Sequence, residues 1–430
     1  MASEWPLAKI EDIAERVAMG PFGSSIKVST FVETGIPVIS GQHLHGFRLT
    51  DGGNNFITET HADILKNANV CRGDVIFTHA GNIGQVAFIP ETSKYDRYVI
   101  SQRQFFLRCD VSKLIPEFVT YYFRSREGQH KLLANASSVG VPSIARPVSY
   151  LRSIEIPLPS LPEQKRIANI LGTLDDKIEN NRRMNATLEA MACTLFQSWF
   201  VDFTPVHAKA QGRRPAHMDA ATAALFPKSF QDSELGPIPK GWEVRTVGEV
   251  VECVGGTTPS TSEPKYWDNG IHHWATPKDF SSLQSPILTT TDRQITDEGV
   301  AKISSGLLPE GTLLLSSRAP VGYLAIAAMP VAINQGFIAM KCNEHTSNYF
   351  MLNWCRQNMS EIEGRATGTT FAEISKQNFR PIPIVFPPLQ IMKDFTKKVD
   401  SLYLKMKSNI YQSHALATLR DTLLPKLMRG

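Results

Sequence analysis

A chain of 430 residues, 42% hydrophobic and 20% charged, belongs with ordinary soluble proteins and is long enough for two or three domains at roughly 150 residues each. Its net charge of +4 is too small to establish a polyanionic partner on its own. The six cysteines, Cys71, Cys109, Cys193, Cys253, Cys342 and Cys355, are scattered without CxxC spacing, so reduced thiols in a cytoplasmic protein are expected and a zinc site is not.

The N-terminal stretch MASEWPLAKIEDIAERV lacks a basic start followed by an apolar core, so no signal peptide is evident. From Trp5 an aromatic start leads into a short helical turn, and Gly20 to Lys27, GPFGSSIK, follows as a polar loop. Gly35 to Ile39 reads as a strand leaving a glycine turn, and Arg72 to Phe77 as a turn glycine feeding a buried strand. After Val99-Ile100-Ser101-Gln102, a helix is predicted from Pro116 to Leu133, then a polar loop from Ser137 to Ser143. An Ile/Pro segment from Ile154, IEIPLPSLP, enters a long helix.

That helix runs from Leu161 to Phe203. Steps of four and three from Ile167 reach Leu171, Leu174, Ile178, Asn181, Asn185, Leu188, Ala192, Leu195 and Trp199, an apolar seam broken only at its centre. Such a stripe can pack on its own globular domain. It can also pair with a second helix, and the remaining chain supplies one.

Residues 204–241, rich in Pro, Gly, Ala and charge, read as a connector. From Trp242 the pattern begins again: WEVRTVGEVVECV, the polar loop GGTTPSTSEPKYW from Gly255, a strand at Gly270 to Trp274, another at Glu310 to Leu315, Ala332-Ile333-Asn334-Gln335, a helix from Ser347 to Ile362 and a loop from Thr367 to Phe371. No helix here reads as a membrane span, because the longest apolar region, 313–333, is interrupted by Arg318, Pro320 and Pro330. IPIVFPPLQ from Ile382 opens a second long helix, whose seam is Phe395, Val399, Leu402, Met406, Asn409, Ser413, Leu416, Arg420, Leu423 and Leu427. A repeat of this length is a duplicated domain. An antiparallel pairing of the helices would bring Asn181 and Asn185 opposite Asn409 and Ser413 and fix the register. About 40 residues per helix make a rod of roughly 60 Å, with a domain at either tip. Trp199 and Phe200 are expected to lie exposed on its flank, for partners to cover.

The chain is poor in catalytic signals. No GxxxxGK[ST] loop is present, the single Pro-Pro lies in Phe386-Pro387-Pro388-Leu389 rather than in an amino-methyltransferase motif, and Glu263-Pro264-Lys265 lacks the Pro-Asp pair of a nuclease centre. Both copies instead carry polar loops at matched places, with side chains suited to nucleic acid: Arg, Gln and Asn for two-pronged bonds to base edges, Lys and Ser for phosphates. In the first copy the candidates are Ser24, Ser25, Lys27, Gln42, His43, Arg48, His79, Asn82, Gln102, Arg103, Ser138 and Arg146. In the second they are Thr257, Thr258, Ser260, Lys265, Tyr266, Lys278, Arg318, Gln335, Arg365, Thr369 and Lys376.

The segments LPSLPEQKRIANILGTLDDKIENNRRMNATLEAMACTLFQSWFVDF, ELGPIPKGW, GGTTPSTSEPKYW and LRDTLLPKLMRG resemble the specificity subunits of bacterial and archaeal type I restriction-modification enzymes over nearly the whole chain. The resemblance implies an α+β fold: two target recognition domains, at 1–160 and 242–387, joined by conserved helices at 161–203 and 388–430 in an antiparallel coiled coil with pseudo-twofold symmetry. It implies a non-catalytic subunit that reads a bipartite, asymmetric double-stranded DNA target, with two modification subunits and the restriction subunits as partners. AdoMet, ATP and Mg would then be held by those partners, and none by this chain. A coiled-coil adaptor that binds protein without DNA is the alternative.

Overall fold

The computed structural model describes residues 5–23, 25–137, 140–368 and 372–429. The chain divides into two compact units, the first made of residues 1–178 with 415–430 and the second of residues 179–414. Each unit is a mixed α/β body holding one part of each of two long helices, Leu161–Phe196 and Leu389–Leu427.

In the first unit a four-stranded antiparallel sheet has the order Ala14–Met19, Gln104–Cys109, Val75–Thr78, Val86–Phe88. A second sheet has the order Asn55–Ile57, Ile36–Ile39, Arg97–Ile100, Asn69–Cys71, with the middle pair parallel. Val75–Thr78 is buried along its whole length, as an unbroken apolar run requires. The predicted helix from Pro116 to Leu133 is two helices, Pro116–Arg124 and Arg126–Leu133. Ser125 divides them: its extended backbone ends the first, and its hydroxyl accepts from the Gly128 N–H at 3.1 Å to start the second. A Cβ on Gly128 would lie 2.0 Å from the Tyr122 carbonyl oxygen, so this close turn requires glycine.

The second unit repeats the plan. Its larger sheet runs Glu252–Gly255, Phe337–Lys341, Leu313–Ser317, Val321–Ala327, Ile287–Leu288, and its smaller one Arg293–Ile295, His272–Ala275, Val331–Ile333, again with one parallel pair. The predicted helix from Ser347 is likewise divided, into Asn348–Gln357 and Met359–Gly364. In each unit the opening strand pairs antiparallel with the Ile/Pro segment that enters a long helix: Leu7–Lys9 with Glu155–Pro157, and Glu243–Thr246 with Pro383–Phe386.

Trp199 and Phe200 are 2% and 7% exposed, contrary to their expected place on an open flank. Residues 204–241 cover them. This stretch folds into the short helices Thr204–Ala210 and Ala220–Leu225, and it brings Val206, Phe226 and Ile238 into the same core as Trp199, Trp242 and Phe395. The Trp199 ring meets Phe226 edge-on at 5.0 Å.

The two long helices pair antiparallel through the predicted polar step. Within the second unit, Asn409 Nδ2 donates to Asn185 Oδ1 at 2.9 Å, and Asn185 Nδ2 to the Met406 carbonyl at 3.3 Å. Asn181 Nδ2 donates to Gln412 Oε1 at 2.9 Å and to Ser413 Oγ at 3.2 Å. Met406 is fully buried beside this layer, with Leu188 and Leu402 packed against the same core. Within the first unit the apolar seam resumes. Ile167 and Leu171 are fully buried with Met428, and Leu423, Leu424 and Leu427 pack on them; Leu174, Ile178 and Leu416 are half-buried. Burying each such large side chain contributes about 1.5–3 kcal/mol. Asp175 completes the junction. Its carboxylate accepts from Tyr121 Oη and from the Arg420 guanidinium, each at 2.6 Å, and Arg48 pairs with the adjacent Asp176. Burial and that carboxylate hold the Tyr121 phenol well above the ordinary tyrosine range.

Two outcomes are expected in urea denaturation. Asn409→Leu strands the Asn185 carbonyl oxygen and lowers stability by about 1–3 kcal/mol, whereas Asn185→Leu with Asn409→Leu recovers most of the loss because neither member of that pair is left to be stranded. Asp175→Ala, which removes the acceptor of Tyr121 Oη and leaves Arg420 with the Asp421 carboxylate alone, costs about 1–3 kcal/mol, and a loss below about 0.5 kcal/mol shows these contacts to be replaced by solvent.

Candidate nucleic-acid interface

Strand direction gathers the polar loops of the first unit. Ala14–Met19 and Val75–Thr78 end, and Gln104–Cys109 and Val86–Phe88 begin, at one edge of the four-stranded sheet. Residues 20–23, 79–85 and 101–103 therefore emerge side by side. Gly20 is needed there because a Cβ would lie 2.0 Å from the Ser101 carbonyl oxygen. The turn after Ser40 joins them from the neighbouring sheet, held by the Gln85 amide donating to the Gly41 carbonyl at 3.0 Å. Ser143–Ile144 closes the row from the other side, with the Ile144 N–H donating to the His79 carbonyl at 2.8 Å.

The second unit uses the same frame. The Gly255 end of its first strand, the Ser317 and Val321 ends of the central hairpin and the Phe337 start of the neighbouring strand share one edge. A Cβ on Gly256 would lie 1.9 Å from the Ile333 carbonyl oxygen, the counterpart of the Gly20 contact. The Ile374 N–H donates to the Ser317 carbonyl at 3.0 Å, as Ile144 does to His79. The Ser317 N–H donates to the Gly336 carbonyl at 2.8 Å, as His79 does to Arg103 at 2.9 Å.

Of the first-unit candidates, Ser25, Lys27, Gln42, Asn82, Gln102, Arg103 and Arg146 are exposed. Ser25 Oγ donates to the Phe22 carbonyl at 3.0 Å and the Gln42 amide to the Gly53 carbonyl at 3.0 Å, so these two also shape their own loops. Three candidates have structural work instead. His43 is buried: Nδ1 accepts from the Ser40 N–H at 2.9 Å, which leaves Nε2 to donate to the Gly52 carbonyl at 3.2 Å. Burial pushes its pKa below the ordinary histidine value. Its counterpart is Asp279, which accepts from the Thr276 N–H at 2.8 Å, so both residues cap the same turn. His79 Nε2 is engaged by the Gln102 carbonyl at 3.1 Å, and burial lowers its pKa too. Arg48 lies beside Phe88, away from the loop edge, and its ion pair with Asp176 fastens the domain to the long helix.

In the second unit Thr257, Thr258, Ser260, Lys265, Lys278, Gln335 and Lys376 are exposed, and Tyr266, Arg318 and Arg365 half-buried. Thr258 Oγ1 donates to Gln335 Oε1 at 2.5 Å, Thr257 Oγ1 to the Lys302 carbonyl at 3.2 Å, and the Ser260 hydroxyl meets that of Ser262 at 2.8 Å. Lys376 reaches the first loop: a Cβ on Gly255 would lie 3.3 Å from its Nζ. Several cations face carboxylates, Lys278 with Asp292 at 3.1 Å, Arg318 with Glu373 at 3.7 Å and Arg365 with Glu361 at 2.7 Å. Lys278 and Arg318 share a cleft of about 460 Å³ with Thr276, Tyr323 and Asn334. Trp267 of the same loop is no free stacking platform, because the Arg293 guanidinium covers its ring at 3.9 Å. Ser24, Ser138 and Thr369 lie outside the described residues. Tyr323 and Asn334, which line the cleft, are not singled out as site residues by the sequence, and Glu373 comes beside Arg318 only through a backbone bridge between distant loops.

Among the described residues no helix is long and apolar enough to cross a membrane. The edges present hydrogen-bonding and cationic side chains on rigid strand ends, an arrangement that suits a polyanion with readable polar edges. The chain matches the family described as "Type I restriction modification DNA specificity domain" twice, over residues 2–190 and 239–413. It is 26% identical over 404 residues to the type I restriction enzyme HindI specificity subunit of Haemophilus influenzae, covering 84% of this chain and 86% of that protein. The MjaIX specificity subunit of Methanocaldococcus jannaschii is 36% identical over 160 residues, 37% of each chain. The crystal structure of a type I restriction-modification S subunit from M. genitalium has the same fold, with a TM-score of 0.57 at 17% identity over 99% of this chain and 96% of that one. With two copies of the domain between Ala2 and Ser413, the chain belongs to the type I restriction-modification DNA specificity family.

Proposed function

We propose that this chain is the DNA-recognition subunit of a type I restriction-modification complex, each unit reading one half of a split, asymmetric double-stranded target. The observation that carries the reading is the pair of loop edges: one backbone frame occurs in both units with different side chains on it. Equal frames give equal docking on a duplex, and unequal side chains give different base preferences. In the first unit Asn82, Gln102 and Arg103 are the base-edge candidates, with Lys27 and Arg146 as phosphate contacts. In the second, Gln335, Lys278 and Arg318 face the groove, with Thr257, Thr258, Ser260, Lys265, Tyr266, Arg365 and Lys376 around them.

The chemistry belongs to partners in this reading. Two modification subunits carry AdoMet, restriction subunits carry ATP and Mg, and this chain contributes no catalytic group. Its long helices are the shared element on which such subunits assemble. A target base turned out of the stack costs a few kcal/mol, and contacts on the flanking sequence offset part of it. A coiled-coil adaptor without DNA contact leaves the duplicated loop frame without a role.

The reading is tested by producing the chain with modification subunits in a methylation-free host and mapping methylated adenines by long-read sequencing. One split motif is expected. Asn82→Ala with Arg103→Ala should relax bases in one half only, by roughly 1–3 kcal/mol of discrimination per lost two-pronged contact. Methylation with no split motif, or a change in both halves, contradicts it.

A further inference from the structure

We infer that Arg318 is the principal base-reading side chain of the second unit, that it reads a guanine, and that Glu373 positions it. The inference rests on the DNA-reading role proposed above and goes further by naming one residue and one base.

The duplicated frame isolates the position. In the first unit Ala80 forms a backbone bridge with Ser143, and in the second Arg318 forms the same bridge with Glu373. The flanking bonds are the same in both, from Ile144 to His79 and from Ile374 to Ser317. The next residue has left-handed backbone in both, Gly81 at φ 84° and Ala319 at φ 55°. An alanine held there is strained, and such strain persists where the surroundings dictate the turn. At one place on one scaffold, then, a methyl group and a hydroxymethyl are replaced by a guanidinium and a carboxylate. A difference confined to side chains at the loop edge is where two otherwise equal readers would differ in what they read.

The geometry suits guanine. Arg318 Nη1 stands 3.7 Å from Glu373 Oε2, close enough to orient the guanidinium and too far for a hydrogen bond to consume its donors. Five N–H groups in a planar fork match the O6 and N7 acceptors of guanine in the major groove, the commonest specific contact of arginine. Glu373 is itself held, because its backbone exchanges two hydrogen bonds of 2.9 Å with Thr367. Arg318 is half-buried and lines the cleft with Lys278, Tyr323 and Asn334, so its side chain is partly packed and partly accessible. Lys278, more than four-fifths exposed at its side chain, is placed to meet a phosphate while Arg318 meets the base.

The test uses the intact complex with modification subunits and the same long-read map, with synthetic duplexes carrying each base at each motif position. In the unaltered complex, the half-site left unchanged by the Asn82 and Arg103 substitutions should demand a guanine at one position, by about ten- to hundredfold over other bases. Arg318→Ala should reduce that demand to under about threefold and leave every other position unchanged. Arg318→Lys, which keeps the charge and loses the fork, should relax the same position while retaining overall methylation. Glu373→Gln should weaken the preference without changing its identity, and a purely structural Glu373 would alter all positions alike. The inference is overturned if Arg318→Ala and Arg318→Lys both leave the motif unchanged, or if the relaxed position is not a G·C pair. An unaltered complex that yields no split motif would remove the DNA-reading role itself, and this assignment with it.

Discussion

Buried amides that must find partners hold this architecture together. An apolar seam alone would let two long helices slide by a heptad or pair in the other sense, since leucine packs on leucine in many registers. Asn181 and Asn185 remove that freedom, because Asn185 pairs with Asn409 and Asn181 with Gln412 and Ser413. The repeat counterpart of Asn181 is Asn409 and that of Asn185 is Ser413, so the polar step of one copy faces the polar step of the other. A register shift would bury these amides against leucine, each without its partner, at a cost of about 1–3 kcal/mol per group.

From that pairing the rest follows in sequence. Each long helix begins at an Ile/Pro strand already paired with the first strand of its domain, so the sheet and the helix are fixed to each other. In the first unit the link is reinforced by charge, Arg48 to Asp176 and Asp175 to Arg420. In the second it is reinforced by packing, with Tyr349 stacked on Tyr403 at 4.3 Å and bonded to Asp400 at 2.9 Å. The loop edge then inherits its position from strands, not from mobile segments. Gly20 and Gly256 permit the same close approach of the first loop to a neighbouring carbonyl. Specific recognition needs this order of construction: a rigid frame first, and variable side chains on its rim.

Much of this was legible in the chain. The two seams, their central polar step and the antiparallel pairing of Asn185 with Asn409 follow from periodicity, a regular property that survives in a single sequence. The duplication was legible because strand-turn patterns recur in the same order. Side-chain roles at the rim were not. His43 looks like a loop residue, yet it caps a turn where the other copy uses Asp279, and only the fold shows that imidazole and carboxylate can accept the same N–H. Trp199 and Phe200 look like an exposed flank, because the residues that cover them, Val206, Phe226 and Ile238, lie in a stretch whose composition suggests a connector. Glu373 becomes a neighbour of Arg318 only through pairing between segments more than fifty residues apart.

The measurement that tests the whole account most directly is a heptad inserted into both long helices, one step beyond the asparagine layer, followed by methylation mapping of the assembled complex. The account predicts that the bases read in each half stay the same while the number of unread bases between them changes. An unchanged gap together with altered bases would contradict it.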